Sequence, residues 1–312
     1  MLISHEYCLR HNTGIGHPEQ VDRLLTVFGA LRTPEFENLV RIEAPRATGE
    51  TVALVHTRPY IEKTFGLMPK QGFWNLDPDT VVSSGSGEAA LRAVGAVCRA
   101  VDGVMSGEAR NAFCAVRPPG HHAGRDHAGG FCLFNNVAIG AVWARQKFGV
   151  QRVAIVDFDV HHGDGTQSIF WDDAEALFVS MHQWPFDPWS GAVSDIGACG
   201  NILNLPLREG IGSAEYRQCF VDQVLPRLRL FEPEMLLVSA GFDAHQGDPI
   251  GGLNLGADDY HWLGRRLVEV AEETCQGRLV TVLEGGYDLQ VPEKSVAGFV
   301  RALSGLPVES SS

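Results

Sequence analysis

Short apolar runs alternate with segments of helical periodicity along this chain, and that alternation limits the possible folds more than any other feature. Four runs bounded by turn residues are typical of buried parallel strands, namely Ala112–Val116, Val153–Val156, Met235–Val238 and Leu279–Leu283. Apolar residues recur at spacings of three and four in the predicted helices Glu88–Met105, Asn136–Lys147, Ala214–Leu228, Ala257–Glu273 and Val291–Leu303. The pattern predicts an α/β fold with a largely parallel central sheet and helices on both faces.

Length and charge narrow the class of protein. We expect the 312 residues to form a single domain, 1–312, with a frayed tail from about residue 306. The formal charge of −13 and the lack of a Lys/Arg run argue against nucleic acid or an anionic membrane as a partner. No segment resembles a membrane span or an export signal, and the seven cysteines form no CxxC pair. These features favour a cytoplasmic protein with reduced thiols.

Ionisable or polar residues follow each of the four predicted strands. The segments after the strands read RPPGHH, DFDVHHGD, SAGFDAHQGDP and EGGYD. In a parallel sheet the carboxyl ends of the strands meet at one edge, where ligands bind. A turn with solvated Asp and His explains one such segment, but not four, so we expect a functional site at this edge.

The row Asp157-Phe-Asp159-Val-His161 indicates a metal site. Alternate residues of an extended segment project to one face, so this row can supply two ligands to one ion. A third ligand, best Asp243, completes a set of two carboxylates and one imidazole with positions left open for water and substrate. Such a set suits Zn²⁺ but also Fe²⁺, Co²⁺ or Mn²⁺. The simpler interpretation of the row is a salt-bridged or helix-capping turn.

The adjacent His121 and His122 fit proton transfer better than joint chelation, because neighbouring residues in an extended or turn segment are expected to diverge. A histidine poised as a base needs a carboxylate behind its ring, and Asp157 and Asp164 are available for that purpose. The alternative is a pair of core histidines bonded to backbone carbonyls.

Tyr287 follows two glycines at the end of the fourth strand, where its hydroxyl is able to stabilise a developing oxyanion. A buried tyrosine bonded to a carbonyl is the simpler alternative. Together, a metal-bound water, a base, an oxyanion donor and an open sheet edge describe metal-assisted hydrolysis of an amide or ester.

These residues lie in motifs that resemble those of the histone deacetylase family, whose fold is that of the arginases. The matching segments are HPEQVDRL (His17–Leu24), RPPGHHA, GFCLFNN (Gly130–Asn136), DFDVHHGDGTQ, SAGFDAHQGDP and LEGGYDL. GFDAH and LEGGY are closer to the class II branch and to bacterial histone deacetylase-like amidohydrolases. The resemblance implies a single zinc-dependent deacetylase domain.

By this resemblance, the zinc ligands are Asp159, His161 and Asp243. His122, backed by Asp164, matches the general base and acid, and His121, backed by Asp157, matches its electrostatic partner. Tyr287 matches the residue that polarises the scissile carbonyl. The family's structural potassium site corresponds to Ser180 with backbone carbonyls near Asp157, Asp159 and His161.

The resemblance also implies a channel for the acyl chain. Gly130 lies where a backbone carbonyl meets the substrate amide, and Phe131 and Phe186 match the two aromatic walls. Asp79 or Thr80 corresponds to the rim that holds the substrate backbone. Trp189, in a segment that departs from the family pattern, is placed to narrow or cap the channel.

The substrate is an acylated amine, and acyl-lysine is favoured. Family members that act on acetylated polyamines have an acidic gatekeeper near the GDP motif, where this chain has Ile250. Acetylpolyamine or another small amide remains an alternative. A binuclear manganese ureohydrolase, with His245 reaching a second ion, and a non-enzymatic binding protein are further alternatives. The sequence leaves the oligomeric state open.

Overall fold

A computed structural model describes residues 1–306, without the side chains of residues 291–293. The predicted frayed tail, apart from Leu306, lies outside the described residues. Within residues 1–306 there are ten strands: β1 Leu2–Ser4, β2 Arg41–Glu43, β3 Phe73–Asn75, β4 Val81–Ser83, β5 Asn111–Cys114, β6 Val153–Asp157, β7 Ala176–Gln183, β8 Ile202–Leu207, β9 Met235–Ala240 and β10 Leu279–Leu283. The α-helices are α1 Val21–Ala30, α2 Gly49–Val52, α3 Arg58–Gly66, α4 Ser86–Met105, α5 Asn136–Phe148, α6 Asp164–Ile169, α7 Ser213–Cys219, α8 Leu225–Phe231, α9 Ala257–Cys275 and α10 Val291–Leu303.

Eight strands form one sheet in the order β2-β1-β5-β10-β9-β6-β7-β8, and every pairing in it is parallel. The four strands predicted from apolar runs, β5, β10, β9 and β6, are neighbours at its centre. Central strands are covered on both faces, so they need continuous apolar sequence, and this is the signal that the runs supplied. Strands β3 and β4 form a separate antiparallel pair.

Helices cover both faces of the sheet. On one face α4 contacts β1, β5 and β10, and α5 contacts β6 and β9. On the other face α9 contacts β9 and β10, and α10 packs against α9, α1 and β5. Among the described residues, no helix is both long enough and apolar enough to cross a membrane.

The segment predicted as one helix over 214–228 is more complex. Helix α7 ends at Cys219, a π-helical turn spans Phe220–Val224, and α8 continues to Phe231. Pro226 stands in the first turn of α8 and has no N–H to donate, so the regular hydrogen-bond ladder is interrupted there.

Helix α4 packs closely against the backbone of Pro45 at Gly95, and a substitution of Gly95 tests this contact. A Cβ atom at Gly95 would overlap the backbone carbonyl of Pro45, which cannot rotate away. We expect Gly95→Ala to lower the free energy of unfolding by about 1–3 kcal/mol, the usual range for overpacking. Urea denaturation followed by circular dichroism measures it.

Gly29→Ala in α1 is the matched control, since nothing lies within 4 Å of the added methyl group. The free energy of unfolding of this control should rise by up to about 1 kcal/mol, because alanine has a higher helix propensity than glycine. Equal stabilities for the two variants would contradict the packing of α4 described here.

Candidate active site

The carboxyl ends of β5, β10, β9 and β6 place the four polar segments side by side, as the topology requires. Strand β6 ends at Asp157, so Asp159 and His161 lie on the loop that follows it rather than in an extended strand. The structure brings Asp159, His161 and Asp243 together, with one ligand atom of each within 4.8 Å of the others, and all three are buried. Asp157 turns away from this group toward His121.

Backbone amides hold the two carboxylates of this group in place. Asp159 Oδ2 accepts a hydrogen bond of 2.8 Å from the N–H of Gly285, and Asp243 Oδ1 accepts one of 2.8 Å from Val160. His161 Nδ1 lies 3.0 Å from Asp159 Oδ1 and 3.4 Å from Asp243 Oδ2. The ligand atoms thus face one point from two different loops.

The electrostatics of this group fit a bound cation. Burial and the charge of Asp159 raise the pKa of the Asp243 carboxyl to about 8. Burial opposes a charge on His161, but the nearby carboxylates of Asp159 and Asp243 raise its pKa to about 10. Asp243 Oδ2 is buried without a hydrogen-bond partner. A divalent ion supplies both the missing partner and the positive charge, so the residues present fit a metal.

Two glycines leave the space that this group requires. A Cβ atom at Gly241 would overlap Asp159 Oδ2, and one at Gly285 would overlap both Asp159 Oδ2 and Asp243 Oδ2. These are glycines of the GFD and EGG segments, so the two motifs contribute clearance as well as side chains.

Each histidine of the adjacent pair has a carboxylate behind its ring. His121 Nδ1 lies 2.9 Å from Asp157 Oδ2, and His122 Nδ1 lies 2.7 Å from Asp164 Oδ1. Burial opposes ionisation of Asp164, but the hydrogen bond with His122 lowers its pKa. The expectation that the two rings diverge was wrong, because their centroids are 4.0 Å apart. Both histidines lie in a turn after β5, so the expected divergence does not hold for this turn, although each ring binds a different carboxylate.

A cavity of about 310 Å³ opens in front of these groups. The predicted site residues that line it are His122, His161, Asp164, Tyr287, Gly130, Phe131, Phe186, Ile250 and Asp79. His127, Gly129, Asp187 and Pro188 also line it and were not predicted. Trp189 lies outside this lining with its side chain 70% exposed. The segment that carries Trp189 contributes its neighbours Asp187 and Pro188 to the cavity instead.

Two aromatic rings define the walls of the cavity. Phe186 stacks on His161 with ring centroids 5.2 Å apart, and Phe131 meets the Tyr287 ring edge-on at 5.7 Å. Phe131 has a φ of 69°, which is unusual for a bulky residue. Its N–H donates to Thr80 Oγ1 over 3.1 Å, so the buried Thr80 supports the wall instead of forming the rim.

Tyr287 rests on a buried network that the sequence did not reveal. Arg23 donates to the carbonyl oxygens of Glu284 and Gly286 and lies 4.6 Å from the centroid of the Tyr287 ring. Glu19, in turn, binds both Arg23 and the buried Arg117. Burial raises the pKa of Tyr287 well above its ordinary value, so its hydroxyl keeps its proton and remains a donor.

A second group of possible ligand atoms, His121, Cys132 and Glu284, is already occupied by other contacts. Glu284 accepts hydrogen bonds from the N–H groups of Gly120 and His121 and from the Ser239 hydroxyl. Burial raises the pKa of the Cys132 thiol well above its ordinary value, which disfavours the thiolate that a metal needs. His245 accepts from Gly247 N–H, within its own turn.

Ser180, the residue predicted to help bind potassium, lies on β7 and pairs in register with Asp157 of β6. Its hydroxyl is buried and bonds to His182 Nδ1 at 2.9 Å.

The fold and the site bring a possible metal site, two histidine–carboxylate pairs and a tyrosine to one end of a parallel sheet, an arrangement typical of metal-dependent hydrolases. The family model for the histone deacetylase domain matches residues 17–303, and the chain belongs to the histone deacetylase family. It is therefore a hydrolase that acts on amide bonds, and its family is metal-dependent and acts on acylated amines.

Relatives support this assignment. The chain is 38% identical to a probable deacetylase of Archaeoglobus fulgidus, over 99% of this chain and 87% of that one. It is 39% identical to the histone deacetylase-like amidohydrolase of Pseudomonas aeruginosa (84% and 70%) and 38% identical to the polyamine deacetylase HDAC10 of Mus musculus (92% and 45%). The crystal structure of the HDA15 HD domain superposes with a TM-score of 0.91 at 33% identity, covering 98% of this chain and 91% of that one. The predicted single-domain α/β deacetylase fold is confirmed.

The clearance at Gly285 leads to a prediction about metal binding. The wild-type chain should bind one zinc ion, and Gly285→Ala should weaken zinc binding about 10- to 100-fold, because the methyl group displaces both carboxylates. Mass spectrometric metal analysis and competition with a chelating dye measure the stoichiometry and the affinity.

Gly298→Ala is the control, since its methyl group meets its neighbours at ordinary distances of 3.5 Å or more. Full zinc affinity in Gly285→Ala would show that the metal lies elsewhere. Two ions per wild-type chain would favour a binuclear site instead.

Proposed function

We propose that this protein is a zinc-dependent deacetylase that removes acetyl or another short acyl group from an acyl-lysine-type amine. The observation that carries the proposal is the placement of His161, His122, Asp164 and Tyr287 around one cavity with aromatic walls. We propose that residues 1–312 act as one zinc-dependent deacetylase domain in the cytoplasm. The cysteines, all free, are consistent with that location.

Asp159, His161 and Asp243 are the proposed zinc ligands. Two carboxylates and one imidazole suit Zn²⁺, with Fe²⁺ or Co²⁺ as substitutes. A bound zinc ion supplies Lewis-acid polarisation of the substrate carbonyl and acidifies the attacking water. We also propose a structural K⁺ bound by Ser180 and by carbonyl groups at Asp157, Asp159 and His161. The adjacency of Asp157 and Ser180 supports this second site.

His122 is the proposed general base and then general acid. Its Nδ1–H donates to Asp164, which leaves Nε2 to take a proton from the attacking water. The same nitrogen returns that proton to the leaving amine, so the His122 imidazolium lasts only through the tetrahedral stage. Asp164 stabilises that cation. His121, bonded to Asp157 with its ring against His122, is the proposed electrostatic partner.

Tyr287 is the proposed oxyanion donor. Its ring is fixed between Phe131 and Arg23, and its hydroxyl remains protonated, so it donates to the carbonyl oxygen as negative charge develops. The Gly130 carbonyl is the proposed acceptor for the substrate amide N–H. A Cβ atom at Gly130 would overlap the His122 ring, so only glycine permits this close approach.

The cavity wall favours a neutral acyl-lysine stem over a polyamine. Phe131 and Phe186 provide apolar walls for a methylene chain, and Ile250 adds a third apolar contact. Asp79, at the cavity, is the proposed rim residue that holds the substrate backbone. An acetylpolyamine or another small amide is the second candidate, and the similarity to a mouse polyamine deacetylase favours testing it.

The ureohydrolase alternative has less support. A second manganese ion needs additional free carboxylates, whereas His245 is bonded within its own turn and Glu284 is occupied by backbone amides. The family match also favours a deacetylase.

Acetate release tests the function directly. We expect zinc-loaded protein to release acetate from an acetyl-lysine peptide faster than from an acetylpolyamine, because Ile250 provides no negative charge for a second amine. Both substrates are assayed side by side, with His122→Ala as the inactive control. Turnover of the polyamine alone would contradict the proposed substrate class, and turnover of neither would contradict the proposed activity.

The role of Tyr287 is tested separately. Tyr287→Phe should lower kcat about 10²- to 10³-fold with little change in KM, because the hydrogen bond strengthens only as the oxyanion forms. Steady-state kinetics on the acetyl-lysine peptide measure both constants. An unchanged kcat would remove Tyr287 from the mechanism.

A further inference from the structure

The carboxylate of Asp248, in the GDP segment after β9, bridges two loops of the cavity. Its Oδ1 accepts hydrogen bonds from the N–H groups of Ile250 (2.9 Å) and Gly251 (3.3 Å) on its own loop. Its Oδ2 accepts from Tyr287 (2.6 Å) and Asp288 (3.2 Å), which lie about 40 residues later in the sequence. Each oxygen therefore accepts hydrogen bonds from only one of the two loops, and Asp248 is 7% exposed.

The two loops carry residues that must keep a fixed separation. Ile250 and Tyr287 both line the cavity, one as a channel wall and the other as the proposed oxyanion donor. Backbone N–H bonds to a buried carboxylate are short and strong, so they restrain the main chain at both residues. A shift of about 1 Å in a catalytic group lowers a rate about 100-fold.

We propose that Asp248 is a positioning residue that sets the Tyr287 hydroxyl relative to the channel wall at Ile250. The inference rests on the proposed function of Tyr287, and it adds Asp248 to Arg23 as a second residue that fixes the position of Tyr287. An asparagine at position 248 keeps one acceptor oxygen and presents an NH₂ group to the other loop, where two N–H donors already point. Whichever way the amide is oriented, one of the two loops therefore loses the oxygen that accepted its N–H hydrogen bonds.

A double-mutant cycle separates positioning from general destabilisation. Asp248→Asn should lower kcat about 10- to 100-fold and change KM less than about threefold. In the Tyr287→Phe background, the same substitution should lower kcat less than about threefold, because the group that it misplaces is gone. Equal losses in both backgrounds, or a kcat within twofold of wild type, would overturn the proposal.

Asp259→Asn is the matched control. Asp259 is also a buried carboxylate, 1% exposed, and it joins the start of α9 to Ser213 and Arg217 of α7, outside the cavity lining. Any effect of this control on kcat should be the same in both backgrounds. Zinc content and thermal midpoint are recorded for all variants. If Asp248→Asn does not fold, Asp248→Glu, which keeps both oxygens but moves them by one methylene, enters the same cycle.

Hydrogen exchange tests the bridge without any substrate. In Asp248→Asn, peptides that cover residues 247–252 and 285–290 should exchange faster, by at least about tenfold in one of the two loops. The exchange rates of peptides from the strands of the sheet should be unchanged. Unchanged exchange in both loops would overturn the proposal. If wild-type protein hydrolyses none of the acylated amines but exchange still increases, the proposed function fails and the bridge between the loops stands.

Discussion

Parallel pairing of four central strands is the constraint on which the rest of the structure depends. Because β5, β10, β9 and β6 are adjacent and run in one direction, their carboxyl ends deliver histidines, carboxylates and a tyrosine to one small volume. Two of these strands, β5 and β6, are separated by β10 and β9, but the loops that follow them supply the His121–Asp157 and His122–Asp164 pairs. The loops that follow the two strands, not the strands themselves, close that distance.

Burying so many charges in one place requires compensation, and the backbone supplies much of it. Asp159, Asp243, Asp248 and Glu284 each accept hydrogen bonds from main-chain N–H groups at the ends of strands or loops. Such bonds stabilise a carboxylate without adding a cation that would repel a metal ion. The positive charges of Arg23 and Arg117 are instead paired with Glu19.

Much of the fold and of the candidate site was predictable from the sequence, for identifiable reasons. The central strands are continuous apolar runs, and the residues that follow them are chemically distinctive. The outer strands were missed: β1 and β2 have three residues each, too few for a periodic signal, and β8 contains Pro206, a residue type that argues against a strand in sequence. The role of Thr80 and the contacts of Asp187 depend on loop conformation, which no local pattern encodes.

The contacts that fix Tyr287 are the clearest example of structure that could not be predicted from the sequence. Arg23 holds the carbonyl oxygens of Glu284 and Gly286, before the tyrosine, whereas Asp248 holds the N–H groups of Tyr287 and Asp288. One support comes from α1 and the other from the loop after β9, so the two are distant from Tyr287 in sequence and independent of each other. A flexible segment with two glycines is thereby fixed on both its acceptor and its donor groups. The glycines permit the turn that clears Asp159 and Asp243, and the two supports remove the freedom that glycine would otherwise leave at the proposed oxyanion donor.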